Sequence, residues 1–542
     1  MSVDPGGILP AWGAIMGKLV FDDGSDAAAS ARLRRMARSG KLERIASGIY
    51  MEPGGESAEA TIRRNWHLVV SYLFPEGVVT DRSGVESQPT VWAESETDER
   101  FIFISRPGKP QTVTLPGLTI SARDGAGPIE GEDVPFVGTW ISGPVRRLID
   151  NMQPSRSRNG PARTIGAAGV EILLDRICTA QGEAKLNEIR DTARKLAPEI
   201  GREEAFQALD RTIGALLTTR KARLLSNVGR ARAEGRPFDA DCLERLRILS
   251  IYLLNNPVSA VLDPNTGMER RSSSTFVEAY FSNYIEGTEF AVKEAEEIVF
   301  DGKVPETRPA DGHDVLGTYL KLMEPPRAGL DDMGPDRFIE LLMADHADTM
   351  RGRPSIGPGQ FKERANKAGS SFFVAPELVR GTLFEGFQTI SATQDPFSRA
   401  LMAHYLISEV HPFNDGNGRL SRIVMSRELT SNGLAHIVIP TVFRSDYLDA
   451  LRALTRRNDP SIFVRSMARC QQISAACSGS DRQETLELWA RTYAFVEAGT
   501  HARLEWPDPA IEVEWRNETP APTVYWLAMD REKEGGIPGL GW

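Results

Sequence analysis

Two patterns of apolar positions follow one another along the chain. Short β-prone runs, separated by Arg-Pro-Gly and Asp-Gly turns, occupy 101–105, 111–114 and 118–120. Further on, apolar residues recur at helical spacing over 170–179, 185–196, 205–226 and 242–254, and a shorter helical piece covers 60–73. These patterns predict a multidomain, mainly α protein with a small α/β region near its N-terminus.

A pair of buried helices is predicted between residues 395 and 433. Asp395 and Pro396 provide an N-cap and a proline at the first helical position, and an apolar stripe continues to Val410. A second stripe starts at Leu420 and stops at Asn432-Gly433. The polar segment between the stripes is therefore predicted to form a loop that runs into the N-terminus of a helix.

The N-terminal region has the pattern of a winged helix-turn-helix. Asp26 can cap a helix that extends to Arg38, and a hairpin-like stretch with a Ser-Gly turn follows over 41–51. Basic residues greatly outnumber acidic ones here, so this face could contact phosphates; the candidates for DNA contact are Arg34, Arg35 and Arg38. A solvated basic helix on a packing module is the alternative interpretation.

Composition narrows the classes of protein. The 542 residues carry a net charge of −10 and only four cysteines, without C-x-x-C spacing. This favours about three or four domains and a reducing, cytoplasmic environment, with no disulfide framework. The N-terminus lacks a signal-peptide pattern, and the apolar runs fall far short of the roughly 20 residues that span a bilayer. We therefore expect no membrane segment.

The segment His411-Pro-Phe-Asn-Asp-Gly-Asn-Gly-Arg-Leu-Ser-Arg422 contains the groups needed for phosphoryl or nucleotidyl transfer to a hydroxyl. His411 suits a general base, and Asp415 offers a hard oxygen ligand for Mg²⁺ beside phosphates. The helix N-terminus supplies an anion site, in which Asn417 is expected to add an amide donor. The remaining phosphate-binding candidates are Gly416, Gly418, Arg419 and Arg422.

This segment resembles the signature of the Fic family, H-x-F-x-[D/E]-G-N-G-R-x-x-R, at all eight defined positions. At roughly one in twenty per position, chance agreement is on the order of one in 10¹⁰. The resemblance implies an all-α domain that transfers AMP from ATP to a Ser, Thr or Tyr hydroxyl of a target protein. It implies that His411 is the base, that Asp415 holds Mg²⁺, and that Arg419 and Arg422 contact the phosphate chain and the γ-phosphate. A phosphorylating branch typically has Lys at the position of Gly418, which disfavours a kinase.

A second motif lies upstream of the first. Ser282, Glu286 and Gly287 fit the inhibitory pattern [S/T]-x-x-x-E-[G/N] of Fic proteins, and the motif lies on a predicted helix over 275–285 and just beyond its end. The resemblance implies that Glu286 pairs with Arg422 in the space of the γ-phosphate, so that ATP binds unproductively. The alternative is a surface helix that ends in Glu-Gly.

Other resemblances are less specific. The first 155 residues are similar to AbiEi-type antitoxins in RMARSGKLERIASGIYM, VVTDRSGVESQPT, LPGLTI and ISGPVRRLIDNM. A target-docking flap is expected over 360–374, where Lys362 replaces the usual Arg, and Tyr447 is a candidate neighbour of the adenine. The predicted domains are 1–55 (winged helix), 56–155 (AbiEi-like α/β), 156–244 (helical connector, after a linker at 154–163), 245–478 (Fic) and 479–542 (C-terminal helix and tail).

The sequence thus predicts an autoinhibited protein AMP-transferase that uses ATP and Mg²⁺ and acts on target proteins, with homo-oligomerisation left open. Three alternatives remain open at this level. Glu286 could orient a water so that the same site removes AMP from a modified target. The chain could be a DNA-binding regulator whose Fic domain senses nucleotide. The N-terminal region could instead recruit or neutralise a protein without binding DNA.

Overall fold

The computed structural model describes residues 19–22, 24–54, 56–93, 98–157, 159–325, 329–368, 371–497, 502–514 and 523–526. The chain divides into two compact units, Met1–Gly235 and Arg236–Trp542. The five domains predicted from the sequence are a finer division and stay a prediction. Residues 1–18 and most of the predicted C-terminal tail lie outside the described residues, as does His501.

The described residues of the N-terminal region form one helix and a three-stranded sheet. The elements are β1 (Leu19–Phe21), α1 (Ala27–Arg38), β2 (Glu43–Ala46) and β3 (Ile49–Met51), with the strand order β1-β3-β2. The predicted cap is confirmed, since the Asp26 carboxylate accepts a hydrogen bond from the Ala28 N–H at 2.8 Å. The predicted hairpin is confirmed as well. The winged-helix assignment stays a prediction.

A mixed sheet completes the α/β region. It contains β4 (Val78–Val79), β5 (Thr90–Val91), β6 (Arg100–Arg106), β7 (Gln111–Leu115), β8 (Leu118–Asp124), β9 (Val134–Phe136) and β10 (Thr139–Ile141). Its order is β7-β8-β6-β4-β10-β9, with β5 paired to β6. The helices beside it are α2 (Ala58–Arg64), α3 (Trp66–Leu73) and α4 (Asp81–Glu86). The single helix predicted over 60–73 was wrong, because Asn65 caps α2 by donating from its side chain to the Thr61 carbonyl.

Helices fill the rest of the first unit: α5 (Pro144–Asn151), α6 (Gly166–Gln181), α7 (Glu183–Glu199), α8 (Glu203–Leu216) and α9 (Asn227–Ala233). The helix predicted over 205–226 ends early, since Thr218 has a left-handed backbone with φ of 57°. The predicted linker at 154–163 is held in place at its end, where Arg163 pairs with Asp81 at 3.0 Å.

The second unit is mainly helical. Its helices are α10 (Ala240–Asn255), α11 (Met268–Ile285), α12 (Val292–Phe300), α13 (Pro309–Met323), α14 (Pro335–Thr349), α15 (Val379–Ser391), α16 (Pro396–Val410), α17 (Asn417–Ser431), α18 (Arg444–Arg457), α19 (Ser461–Ala476) and α20 (Arg482–Ala490). Its strands are β11 (Lys367–Ala368), β12 (Ser371–Phe372), β13 (Ile511–Glu514) and β14 (Thr523–Trp526). One hydrophobic core unites these helices. Among the described residues, no helix has the length and hydropathy needed to cross a bilayer.

The predicted helix pair α16–α17 lies at the centre of this core. The Asp395 carboxylate caps α16 by accepting from the Ser398 N–H at 2.8 Å, with Pro396 at the first helical position. His411 ends α16 in a left-handed conformation with φ of 49°, and Gly416, with φ of 78°, precedes α17. Two left-handed residues therefore reverse the chain between the helices and direct the polar loop to one side of the core.

Candidate active site

The loop between α16 and α17 is fixed by two buried side chains. Asn417 accepts from the Phe413 N–H at 2.8 Å and donates to the Phe413 carbonyl at 2.9 Å. The His346 ring stacks on the Phe413 ring with centroids 3.8 Å apart and bonds the Asp415 carbonyl at 2.9 Å. The backbone of Phe413 thus occupies the Asn417 oxygen and one of its two amide N–H groups, and the predicted contribution of Asn417 to the anion site stays a prediction.

His411 lies at the edge of this loop as a neutral imidazole. Its Nδ1 is 3.3 Å from the Ser408 carbonyl, an acceptor only, so this bond requires the proton on Nδ1 and leaves the Nε2 lone pair free to accept a proton. Burial lowers the pKa of His411 to about 4, although Glu286 and Asp415 act in the opposite direction. The ring stacks on Phe373 with centroids 3.8 Å apart, which holds its orientation.

The N-terminus of α17 lies where the sequence predicted an anion site, and that role stays a prediction. The first N–H groups of a helix have no partner within it, and the positive end of the helix dipole lies at the same place. The Asp415 carboxylate accepts from the Gly416 N–H at 2.7 Å and is half-buried, so it remains accessible at the side of the site. One carboxylate beside a phosphate site fits Mg²⁺, which takes most of its remaining ligands from substrate phosphates and water.

The two arginines of the motif have different partners. Arg419 is buried and forms an ion pair with Asp314 on α13, with Asn283 at 3.5 Å. Its predicted contact to the phosphate chain therefore stays a prediction, and the described partner is a carboxylate of the core. Arg422 lies beside the start of α17, since its Nη1 is 3.2 Å from where a Cβ atom at Gly418 would be.

Arg422 connects α17 to the end of α11. Its Nε donates to the Ser282 hydroxyl at 2.9 Å, and its Nη2 donates to the Ser282 carbonyl at 2.9 Å and to Glu286 at 2.7 Å. Burial opposes ionisation of Glu286, but Arg422 outweighs it and lowers the Glu286 pKa. Gly287 follows with a left-handed φ of 86° and ends the helix. The contact predicted between Glu286 and Arg422 is thus present.

At Gly418 the side chain of Glu286, at the end of α11, lies against the backbone of α17. A Cβ atom at Gly418 would overlap the Glu286 carboxylate. A side chain at this position would therefore require the Glu286 carboxylate to shift, and glycine leaves room for it in its contact with Arg422.

The flap is a short hairpin, in which β11 and β12 pair antiparallel. Lys362 precedes it and is buried, with its Nζ donating to Asn366 at 2.7 Å and to the Val410 carbonyl at 3.1 Å. Burial lowers the pKa of Lys362 to about 8. Lys362 therefore supports the His411 loop from behind. Residues 369–370 of the predicted flap lie outside the described residues.

Three residues near the site were not identified as functional from the sequence. His346, His436 and Glu278 come from different elements, and their role appears only when the helices pack. Their spacing carries no motif; the available signal was a histidine or carboxylate among apolar residues, on a helix for His346 and Glu278 and in the loop after α17 for His436. Tyr447, the proposed adenine neighbour, is buried, and its hydroxyl bonds His404 at 3.0 Å.

Comparisons with known proteins agree with this site. Residues 338–429, which run from α14 to the end of α17, match the model of the Fic/DOC family. The chain is 25% identical over 249 residues to protein adenylyltransferase fic-1 of Caenorhabditis briggsae, covering 45% of this chain and 48% of that protein. It is 27% identical over 259 residues to protein adenylyltransferase Fic of Drosophila sechellia, covering 46% and 49%. The chain thus spans about half the length of these relatives.

Solved Fic structures are also similar. Fic-1 (residues 134–508) of C. elegans matches with a TM-score of 0.33 and 20% identity, covering 56% of this chain and 85% of that one. A Fic-domain signalling protein of Bacteroides thetaiotaomicron matches with a TM-score of 0.35 and 18% identity, covering 45% and 96%. With the loop geometry described above, the match of residues 338–429 to the family model shows that this chain contains a Fic domain.

Proposed function

We propose that this chain is a protein adenylyltransferase that transfers AMP from ATP to a hydroxyl of a target protein and is autoinhibited by Glu286. The observation that carries the proposal is the intact His411 loop beside an anion site whose arginine, Arg422, is paired with Glu286 at 2.7 Å. The relatives named protein adenylyltransferase support AMP as the transferred group.

The reaction requires one proton acceptor and one anion site. The target hydroxyl oxygen attacks the α-phosphorus of ATP, an O–P bond forms, and the bond from that phosphorus to the oxygen bridging to the β-phosphate breaks. The Nε2 of His411 takes the hydroxyl proton, and pyrophosphate leaves. Because His411 is already neutral near pH 7, its base form is fully populated, although a low pKa makes it a weak base. The N–H groups at the start of α17 stabilise the negative charge on the phosphates.

The proposal includes Mg²⁺, for which Asp415 is the candidate protein ligand. When bound, the ion would neutralise phosphate charge and orient the α- and β-phosphates. The described residues contain no group of three or more carboxylate, histidine or cysteine ligands that could hold a metal without substrate. A single carboxylate is what an ion carried in with a nucleotide requires.

The Glu286–Arg422 pair accounts for autoinhibition in this proposal. Arg422 is the guanidinium that would receive the γ-phosphate, and Glu286 places a carboxylate on it. A phosphate and a carboxylate cannot share this position because both are anions. ATP would therefore bind with its phosphates displaced from the productive arrangement until Glu286 leaves.

The test uses ATP labelled either on the α- or on the γ-phosphate, with Mg²⁺, a cell lysate and the Glu286→Gly variant. Above the labelling of lysate alone, whose kinases use the γ-phosphate, we expect added label from the α-phosphate only, and His411→Ala in the same background to abolish this added label. His313→Ala is the matched control, since His313 is exposed and not part of the loop. Added label from the γ-phosphate, or added label that survives His411→Ala, would refute the proposal.

A second reaction at the same site follows from the partial exposure of Glu286. Its side chain is 28% exposed even while paired with Arg422, so a water can reach the carboxylate. Glu286 could then orient that water for attack on the phosphorus of an AMP-modified target. Release of AMP from a pre-modified protein, lost in Glu286→Gln and retained in Glu289→Gln, would favour this reaction.

The N-terminal unit supports a separate proposal of DNA binding. Arg34, Arg35 and Arg38 are exposed on α1 beside the β2–β3 hairpin, as a phosphate-contacting face requires. Retention of the full chain on duplex DNA at low salt should be lost when these three residues are changed to Ala. Retention unaffected by this change would leave protein recruitment as the role of the region.

A further inference from the structure

Helices α11 and α17 meet through a series of antiparallel contacts spaced four residues apart. From the C-terminal end of α11 toward its N-terminus, and from the N-terminus of α17 toward its C-terminus, the successive pairs are Glu286 with Gly418, Ser282 with Arg422, and Glu278 with Ser426. We call this series the α11–α17 ladder. The next pair in the same register is Ser274 with Thr430, and both of these residues line a cavity. The inhibitory contact and the cavity therefore lie at the two ends of one ladder.

The cavity has a volume of about 320 Å³ and lies between α11, the C-terminal end of α13, α17 and the loop that precedes α11. Its walls are polar and carry both signs of charge. The acidic lining residues are Asp263, Glu278 and Glu324, and the basic ones are Arg271, Lys321 and Arg427. Its size suits a small metabolite rather than a macromolecule.

Glu278 is the residue of this cavity that most directly indicates a ligand. It is 4% exposed, and its Oε2 accepts from the Ser426 hydroxyl at 2.9 Å and lies 2.7 Å from His436 Nδ1. Its Oε1 is buried and has no hydrogen-bond partner in the part of the chain that is described. Because a buried carboxylate oxygen left unpaired is unfavourable, this oxygen indicates a donor that comes from outside the protein.

Cationic groups line the same cavity. Arg427 uses Nη1 on Asp345 at 2.5 Å, whereas its Nη2 is buried, lies 4.0 Å from Glu324 Oε2 and has no hydrogen-bond partner among the described residues. Arg271 is half-buried and donates one Nη2 bond to the Glu324 carbonyl at 2.8 Å, which leaves other guanidinium donors available. The cavity thus offers an acceptor at Glu278 and donors at Arg271 and Arg427.

We propose that this cavity binds a small zwitterion, with an ammonium group on Glu278 and a carboxylate on Arg271 and Arg427. A nucleotide or inorganic phosphate would place anions against Glu278. A neutral polyol would form only neutral hydrogen bonds with Glu278 and Arg427, whose ion-pair partners are His436 and Asp345, and such bonds are weaker than charge-assisted ones. The class of ligand is therefore an amino acid or a short peptide.

A ligand bound here strengthens the inhibitory contact; this second step rests on the proposed function. The ligand uses the free Oε1 of Glu278, so Oε2 keeps its bonds to Ser426 and His436 while the ligand is bound. Glu286 reaches Arg422 when α11 and α17 keep the register of the α11–α17 ladder. A ligand that binds this arrangement better than the released one shifts the population toward it.

Binding is tested first, by ligand-observed NMR on the full chain with the free amino acids and dipeptides as probes and glycerol and glucose as neutral controls. We expect a zwitterionic probe to bind, with affinity about tenfold weaker or more in Arg271→Gln and Glu278→Gln. Arg270→Gln is the matched control, since this neighbour does not line the cavity, and it should bind as wild type does. Failure of every zwitterion to bind, equal binding of the polyols, or equal loss in Arg270→Gln would overturn the site.

The regulatory step is tested with α-labelled ATP. Ser282→Ala removes one of the bonds to Arg422 and should label protein measurably, and the bound probe should lower this labelling several-fold. Glu286→Gly should label equally with and without the probe. An equal decrease in both variants, or none in either, would overturn the regulation. If Glu286→Gly does not label at all, the proposed function fails, whereas the NMR result stands by itself.

Discussion

Replacement of Glu286 by Gly tests the inhibitory contact at a single position. The variant removes one charge-assisted hydrogen bond, 2.7 Å long, between a 4% exposed Arg422 side chain and a 28% exposed carboxylate. Such bonds contribute about 1.5–3 kcal/mol. Partial exposure of Glu286 places this one toward the lower figure, because water screens the pair. Every 1.4 kcal/mol changes a population tenfold, so the released state should increase by about tenfold.

The variant should still fold. Arg422 retains its two bonds to Ser282, each 2.9 Å long, so its buried charge keeps partners after Glu286 is removed. The protein stability lost should therefore be smaller than that caused by leaving a buried guanidinium with no partner, which is about 3–5 kcal/mol. Thermal unfolding followed by circular dichroism checks this point before any activity is compared.

The assay measures incorporation of label from the α-phosphate of ATP into protein in the presence of Mg²⁺. Glu286→Gly should label about tenfold faster than wild type, and the double variant with His411→Ala should not label. Glu289→Gly, three residues further along the chain and exposed, controls for added backbone freedom. If Glu286→Gly labels at the wild-type rate while His411 is required, or if Glu289→Gly rises equally, the inhibitory role of Glu286 is refuted.

Three further outcomes are expected. His346→Ala leaves the Asp415 carbonyl without its bond, so stability should fall by about 1–3 kcal/mol and labelling should decrease, measured by urea unfolding and by the α-label assay. Burial lowers the pKa of His411 to about 4, so the acid limb of the pH profile of kcat/KM should lie near pH 4. An acid limb at the usual histidine pKa of about 6.5 would contradict this prediction. Burial opposes the charge on His436, but the Glu278 carboxylate outweighs burial and raises the His436 pKa. The stability that this pair contributes is therefore fully present below pH ~6.5 and is lost as the pH rises through the folded-state pKa of His436. Glu278→Gln should flatten this dependence of the Tm on pH.

Local chemistry explains why much of the site could be predicted. Asp395 and Pro396 start α16 by rules that involve only the next few residues, and the glycines around Asn417 meet the backbone demands of one tight loop. Glu286 and Arg422 were also predicted as partners, but only because two motifs of a known family were present together. Periodicity alone contains no information on which distant helices meet.

The packing partners of two motif residues could not be read from the sequence. The Asn417 amide bonds the backbone of Phe413, since a buried loop must pair its own polar groups. Arg419 pairs with Asp314 from another helix, a contact that depends on how α13 packs against α17. The partner of Arg419, like that of Arg422, depends on which helices pack together, and no local pattern in the sequence specifies this packing.

Because the charge of Arg422 is buried, Arg422 pairs with either Glu286 or the substrate, so inhibition and substrate binding exclude each other. A guanidinium that is 3% exposed needs an anion beside it, because burial disfavours the charged form unless it is paired. Glu286 is that anion in this structure, and the γ-phosphate would be the anion in the productive complex proposed above. When ATP binds, its γ-phosphate therefore replaces Glu286 as the partner of Arg422. Because one anion replaces another, Arg422 has an anionic partner before and after the exchange. A small bias on α11, such as a ligand at Glu278 provides in our proposal, is then sufficient to decide which anion Arg422 holds.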